Sequence, residues 1–117
     1  MNISDKLNLI LREYSSGNKE SAYKKFKKIY LKNNKDLKLR YNLAVMQQEL
    51  GLLDEAETNY ISLVESNENT KYKINLYNIY ITKKFYQKAL DLINSIQSKN
   101  LSLIQVNQDK AYILYLL

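Results

Sequence analysis

Three stretches of the chain carry apolar residues at the spacing of an α-helix that buries one face. These residues are Ala22, Tyr23, Phe26, Ile29 and Tyr30 in the first stretch, Leu53, Ala56, Tyr60, Leu63 and Val64 in the second, and Tyr86, Ala89, Leu90, Ile93 and Ile96 in the third. Polar and charged residues fill most of the positions between them, as on the solvent side of a surface helix. The pattern therefore predicts amphipathic helices, and the absence of Pro agrees with this.

The small residues of the chain recur at one interval. Gly17 and Gly51 are 34 residues apart, and Ala89 follows Ala56 by 33. A single one-residue deletion between the second and third units brings the whole set into register: Gly17, Gly51, Ala22, Ala44, Ala56, Ala89 and Ala111. Such a period indicates a repeat protein, and the alternative is a helix bundle with an accidental period.

A helical hairpin of 34 residues with Ala-x3-Phe in its second helix is typical of the tetratricopeptide repeat. The motif is carried by Ala22 and Phe26, by Ala56 and Tyr60, and, with Ile in place of the aromatic residue, by Ala89 and Ile93. The chain resembles this family along almost its whole length. The family register divides the single predicted domain, 1–117, into repeats 3–36, 37–69 and 70–103 and a partial or capping helix 104–117.

The resemblance implies an all-α fold, a right-handed superhelical solenoid of antiparallel helix hairpins with about seven helices. Asn18 and a capping box at Ser102 and Gln105 are predicted helix starts, and Asp54 with Glu55 is expected in the first turn of another helix. Lys84 stands where the family has Gly, and a Lys in the left-handed conformation there costs roughly 1–2 kcal/mol.

In this family the first helix of each repeat lines a concave groove. By resemblance, the residues expected to face a partner are Leu7, Asn8, Leu11, Tyr14, Lys38, Tyr41, Asn42, Val45, Lys71, Asn75 and Asn78. Apolar side chains can fill pockets, Asn amides can bond to a peptide backbone, and Lys can meet a carboxylate. We therefore expect a scaffold or adaptor that binds a protein or peptide segment.

More specific binding modes find less support in these residues. The carboxylate clamp of some chaperone co-factors is matched by Asn42 and Lys71, but not by Leu7, Leu11 or Asn75. An alternative function is a substrate-recruiting N-terminal module of a larger enzyme. RNA binding by a related helical repeat is a further alternative, although few lysines fall on the expected groove.

Charge is distributed unevenly along the chain, whose formal net charge is +6. Residues 19–35 contain seven lysines and one acid, whereas residues 41–70 contain six acids and no Lys or Arg. Because these stretches include the second helices of adjacent repeats, we expect their charges partly to compensate on a solvated surface. This distribution argues against a nucleic-acid partner.

No catalytic or metal-binding constellation is visible. The chain has no Cys and no His, which removes the commonest zinc ligands and the commonest general base. We expect no cofactor, no enzyme activity and no membrane span, since no apolar run approaches the ~20 residues that a span requires. The N-terminus lacks the pattern of a signal peptide, so we expect a cytoplasmic location.

The last residues, 111–117, are strongly apolar, unlike the polar outer face that ends a repeat array. One interpretation is that the chain is the N-terminal part of a longer protein. The others are packing of this helix on the third repeat and self-association through it.

Overall fold

The computed structural model describes residues 1–96 and 112–117, and the regular structure within them is α-helix. The helices are α1 (Ile3–Ser15), α2 (Lys19–Lys32), α3 (Leu37–Glu49), α4 (Leu53–Ser66), α5 (Thr70–Thr82) and α6 (Tyr86–Ser95). A further helical stretch covers residues 112–116. The predicted all-α fold is confirmed, whereas the capping box at Ser102 and Gln105 lies outside the described residues.

Helix starts repeat at the interval found in the sequence. Helices α1, α3 and α5 begin at residues 3, 37 and 70, and helices α2, α4 and α6 begin at residues 19, 53 and 86. Both series advance by 34 residues and then by 33. The chain nevertheless forms two compact units, Met1–Asn59 and Tyr60–Leu117. That residues 1–117 make a single domain stays a prediction.

An Asn or Asp side chain starts the first helix of each pair. Oδ1 of Asn2 accepts a bond from the third helical N–H at 2.8 Å, and Oδ1 of Asp36 and of Asn69 accepts one from the second helical N–H at 2.9 Å. A cap of this kind is worth about 1 kcal/mol. These three residues also lie 34 and 33 positions apart, so the cap is part of the repeat.

The second helices begin without such a cap. Asn18 lies at the N-cap position of α2, as predicted, but its side chain makes no capping hydrogen bond. The backbone of Asn18 is instead held by the preceding turn, because its N–H donates to the carbonyl of Glu13 at 3.2 Å. By contrast, Asp54 and Glu55 do lie in the first turn of α4, as predicted.

The turns inside the three helix pairs share one hydrogen-bond pattern. In each turn one N–H bonds back three residues and the next N–H bonds back five, at 2.8 to 3.2 Å. This pattern ends a helix through a residue in the left-handed conformation. That residue is Gly17 at φ +110°, Gly51 at φ +80° and Lys84 at φ +63°. The expected left-handed Lys84 is therefore confirmed.

The unit Met1–Asn59 has its core around α2, which packs against both α1 and α3. The core consists of Ile10, Ala22, Tyr23, Phe26, Tyr30, Leu39, Leu43 and Met46. Ala22, Ala44 and Ala56 are fully buried in this unit. Small side chains at such positions allow backbones to approach closely, which is the role that the repeat predicts for them.

Two polar groups are tied into this core. Nε2 of the buried Gln47 donates to the hydroxyl of Tyr23 at 3.0 Å, and Oε1 of Gln47 accepts from Asn59 at 2.8 Å. Nε of Arg40 donates to the hydroxyl of Tyr30 at 2.8 Å. Both tyrosine hydroxyls therefore keep a partner while their rings are buried, which avoids the penalty for an unsatisfied group.

The unit Tyr60–Leu117 contains the packed pair α5 and α6. Ala89 is fully buried here, like the alanines of the first unit. Lys73 of α5 is buried as well. Its Nζ pairs with Glu68 at 3.1 Å and donates to the carbonyl of Ser95 at 3.4 Å. A buried ammonium group thus stabilises the C-terminal end of α6.

Residues 112–117 expose most of their apolar side chains. Ile113 is fully buried, whereas Tyr112, Leu114, Tyr115 and Leu117 are exposed. This agrees with the apolar edge expected from the sequence, and self-association through it stays a prediction.

Candidate functional site

The predicted groove residues lie on the first helix of each pair, and none of the eleven is buried. Five are half-buried: Leu7, Tyr14, Tyr41, Val45 and Asn75. Six are exposed: Asn8, Leu11, Lys38, Asn42, Lys71 and Asn78. Their assignment as the binding site stays a prediction, but each has surface that a partner can reach.

Helix α3 exposes these residues on one side because its other side is buried in the core. Leu39, Leu43 and Met46 follow one another at intervals of four and three residues and are buried in the first unit. Tyr41 and Val45 each follow a buried leucine by two residues. They therefore point to a different side of the helix. The same helix therefore carries an anchoring side and an accessible side.

Helix α1 carries a mixed surface. Leu7 and Tyr14 pack partly against the core of the first unit, so they also contribute to its stability. Leu11, between them in the sequence, is 40% exposed. A shallow concavity of about 700 Å³ follows this part of α1, and it is lined by Asn8, Leu11, Arg12, Ser15 and Ser16.

Sequence reasoning missed three of these lining residues. Arg12 and Ser15 lie four residues after Asn8 and Leu11, which is the spacing of neighbours on a helix surface. That spacing is a signal that could have found them. Ser16 belongs to the turn, where its hydroxyl donates to the carbonyl of Glu13 at 2.8 Å.

Tyr14 has an unusual environment at the end of α1. Its hydroxyl oxygen is buried near Glu49, and within the described part of the chain it makes no hydrogen bond of standard geometry. Lys19 Nζ lies 5.4 Å from the centre of its ring and forms an ion pair with Glu49 at 3.7 Å. Burial raises the pKa of Tyr14 above its ordinary value, and the nearby negative charge of Glu49 adds to that effect. Tyr14 is thus a neutral, partly anchored ring beside charged groups.

In the second unit the predicted residues belong to α5. Lys71 and Asn78 are exposed and Asn75 is half-buried, whereas Tyr72, Leu76 and Ile79 of the same helix are buried. As on α3, one side of the helix packs and the other remains accessible. The accessible side is here polar and positively charged.

Within residues 1–96 and 112–117, no group of three or more acids, Cys or His is arranged to hold a metal ion. The described helices also include none that is long and apolar enough to cross a membrane.

Comparison with known proteins supports the fold alone. No protein-family model and no curated protein matches the chain. Among solved structures, the chain is similar to the type III secretion chaperone SycD of Yersinia enterocolitica, which was crystallised with a peptide of the translocator YopD. The identity is 19%, the TM-score is 0.76, and the match covers 97% of this chain and 92% of the chaperone chain. The chain therefore has a TPR-like helical-repeat fold.

Proposed function

We propose that this chain is a scaffold of the tetratricopeptide family that binds a segment of another protein through the accessible sides of its first helices. We propose further that it acts by binding and not by catalysis. One observation carries the proposal. The eleven residues expected at groove positions all keep exposed surface, although the helices that hold them bury their other sides in a core.

The chemistry of α1 and α3 suggests what such a segment contains. Tyr41 and Val45 are half-buried, so binding would cover them without much loss of side-chain freedom. Asn42 is exposed beside them and offers both a donor and an acceptor to a peptide backbone. Lys38, one turn earlier, is exposed and can meet a carboxylate. A segment with apolar anchors and an acidic residue fits this set.

The chaperone with a similar fold supports the same proposal, because it was crystallised with a peptide of a protein partner. By analogy, we propose that this chain holds an extended or helical segment of a protein client. Lys71, Asn75 and Asn78 on α5 are proposed to contribute in the second unit.

The test begins with peptides selected from a displayed random library on the intact chain. Their affinity is then measured by calorimetry for the intact chain and for the double variant Tyr41→Ala, Asn42→Ala. A matched control is Tyr86→Ala, Asn94→Ala, which removes the same side chains from α6, at one half-buried and one exposed position.

Loss of an aromatic anchor and an amide should weaken binding by about 2–3 kcal/mol, or about a hundredfold. The control should stay within about threefold of the intact chain. If circular dichroism shows that both double variants are folded and their affinities are equal, the proposed binding site is wrong. Failure to select any peptide would count against the proposed function itself.

A further inference from the structure

The outer side of α2 carries a row of three lysines. Six of the 14 residues of α2 are lysine. Lys24, Lys28 and Lys32 follow one another at intervals of four residues, which sets them about 6 Å apart along the helix axis. All three are exposed, whereas Phe26 of the same helix is buried. The row therefore points away from the core of the first unit.

These three lysines have no partner in the part of the chain that the structure describes. Two other lysines of α2 do form ion pairs, Lys19 with Glu49 at 3.7 Å and Lys25 with Glu13 at 2.8 Å. The row Lys24, Lys28 and Lys32 makes neither an ion pair nor a hydrogen bond. Like charges four residues apart destabilise a helix. Glu20, four residues before Lys24, is the one acid of α2, so this side of the helix keeps a net positive charge that an acidic partner would relieve.

The surface around the row has room for a bound segment. A concavity of about 800 Å³ lies on one side, lined in part by Lys24, Lys28 and Leu50, and another of about 200 Å³ is lined in part by Lys28, Lys32 and Ile29. Lys28 belongs to both. Leu31, on the same outer part of α2, is 59% exposed. The surface is therefore grooved and carries one apolar contact point among the charges.

We propose that this lysine face, defined as Lys24, Lys28, Lys32 and Leu31, is a second interaction surface that binds an acidic protein segment. It lies on a different helix from the residues proposed for the main binding site. The complementary segment would present carboxylates at a repeat of about 6 Å, as a helix with acids four residues apart does. An apolar residue among those acids would contact Leu31.

The composition of the face favours a protein partner over RNA. Binding of single strands relies on exposed aromatic rings for stacking. The three aromatic residues of α2 are Tyr23, Phe26 and Tyr30, and each is at most 8% exposed. An exposed leucine has no comparable use on a nucleic acid, whereas it suits a protein segment.

The experiment measures fluorescence anisotropy with two labelled probes at about 50 mM and about 200 mM salt. One probe is a helical peptide that carries glutamates four residues apart on one side with a leucine between them. The other is single-stranded RNA of the same charge. The test variant is Lys24→Gln, Lys28→Gln, Lys32→Gln. The control is Lys83→Gln, Lys84→Gln, Lys88→Gln, which removes the same net charge from two exposed positions and one half-buried position outside both proposed surfaces.

The test variant should bind the peptide about tenfold more weakly at the lower salt, and the control no more than about threefold. Leu31→Ser should weaken binding of the peptide and leave binding of the RNA unchanged. Equal losses in the two triple variants, or no peptide binding at the lower salt, would overturn the proposal. Tighter binding of RNA than of peptide, dependent on the same lysines, would overturn it in favour of a nucleic acid.

Discussion

Replacing Lys84 by glycine should stabilise the protein. Lys84 has a φ of +63° in the turn between α5 and α6, where the equivalent turns have Gly17 and Gly51. The three turns make the same backbone hydrogen bonds, so the substitution changes the strain and leaves the bonding intact. Among these three turns, Lys84 is therefore the one left-handed residue that carries a side chain.

The size of the effect follows from two opposing contributions. A non-glycine residue in the left-handed conformation costs roughly 1–2 kcal/mol. Glycine offsets about 0.4–1 kcal/mol of this gain, because it increases the conformational entropy of the unfolded chain. Lys84→Gly should therefore raise the free energy of unfolding by about 1 kcal/mol, which corresponds to a rise in Tm of about 4 °C for a chain of this size.

Urea unfolding followed by circular dichroism measures this change in the free energy of unfolding. Two controls should change it in the opposite direction. Lys83→Gly changes the neighbouring residue, whose φ of −83° any residue adopts, and should destabilise. Gly51→Ala should destabilise by about 1 kcal/mol from backbone strain alone, since an added Cβ there meets no atom within 4 Å. If Lys84→Gly destabilises as Lys83→Gly does, the account of the turn is wrong.

Three further predictions concern side chains of the first unit. Gln47→Leu removes both buried hydrogen bonds of that side chain and should lower the free energy of unfolding by about 2 kcal/mol, measured in urea. The hydrogen bond from Lys25 holds the pKa of Glu13 below its ordinary 4.5, so this stabilisation is present above pH 4.5 and is lost as the pH falls through the lowered pKa. As the pH is lowered, Tm should accordingly fall less steeply for Glu13→Gln than for the intact chain. Lys28→Glu turns two like-charge contacts into attractive ones and should raise stability by about 1 kcal/mol in low salt, while it removes binding to an acidic segment.

The sequence predicted the repeat and the helices well because both depend on local spacing. Small residues at a fixed interval determine where two helices can approach, and the buried Ala22, Ala56 and Ala89 occupy those positions. The helix caps at Asn2, Asp36 and Asn69 recur at the same interval, but they are not among the helix starts predicted from the sequence. In a chain so rich in Asn, a single Asn says little, and only the interval distinguishes a cap from the background.

Features that depend on neighbours were harder to predict. Leu43 of α3 is buried because α2 packs against that side, whereas the equivalent Leu9 of α1 is 49% exposed. The predicted compensation of charge also took a different form. Lysines of α2 pair with Glu13 of α1 and Glu49 of α3, and the row Lys24, Lys28, Lys32 has no pair in the described part of the chain.

The candidate site lies between these two cases. Periodicity predicts which residues of α3 avoid the core, because the buried Leu39 and Leu43 fix the orientation of the helix. It does not predict that Tyr14 packs partly against the core with its hydroxyl buried near Glu49. Such details depend on side chains from α2 and α3, which no local pattern in α1 contains.

We propose that the accessible sides of α1 and α3 receive the partner segment. An amide NMR titration of the intact chain with a library-selected peptide tests this proposal. We expect the largest chemical-shift changes at Leu11, Tyr41, Asn42 and Val45, with saturation at one peptide per chain. Shift changes confined to α4 or to the outer side of α2, with those four residues unaffected, would contradict it.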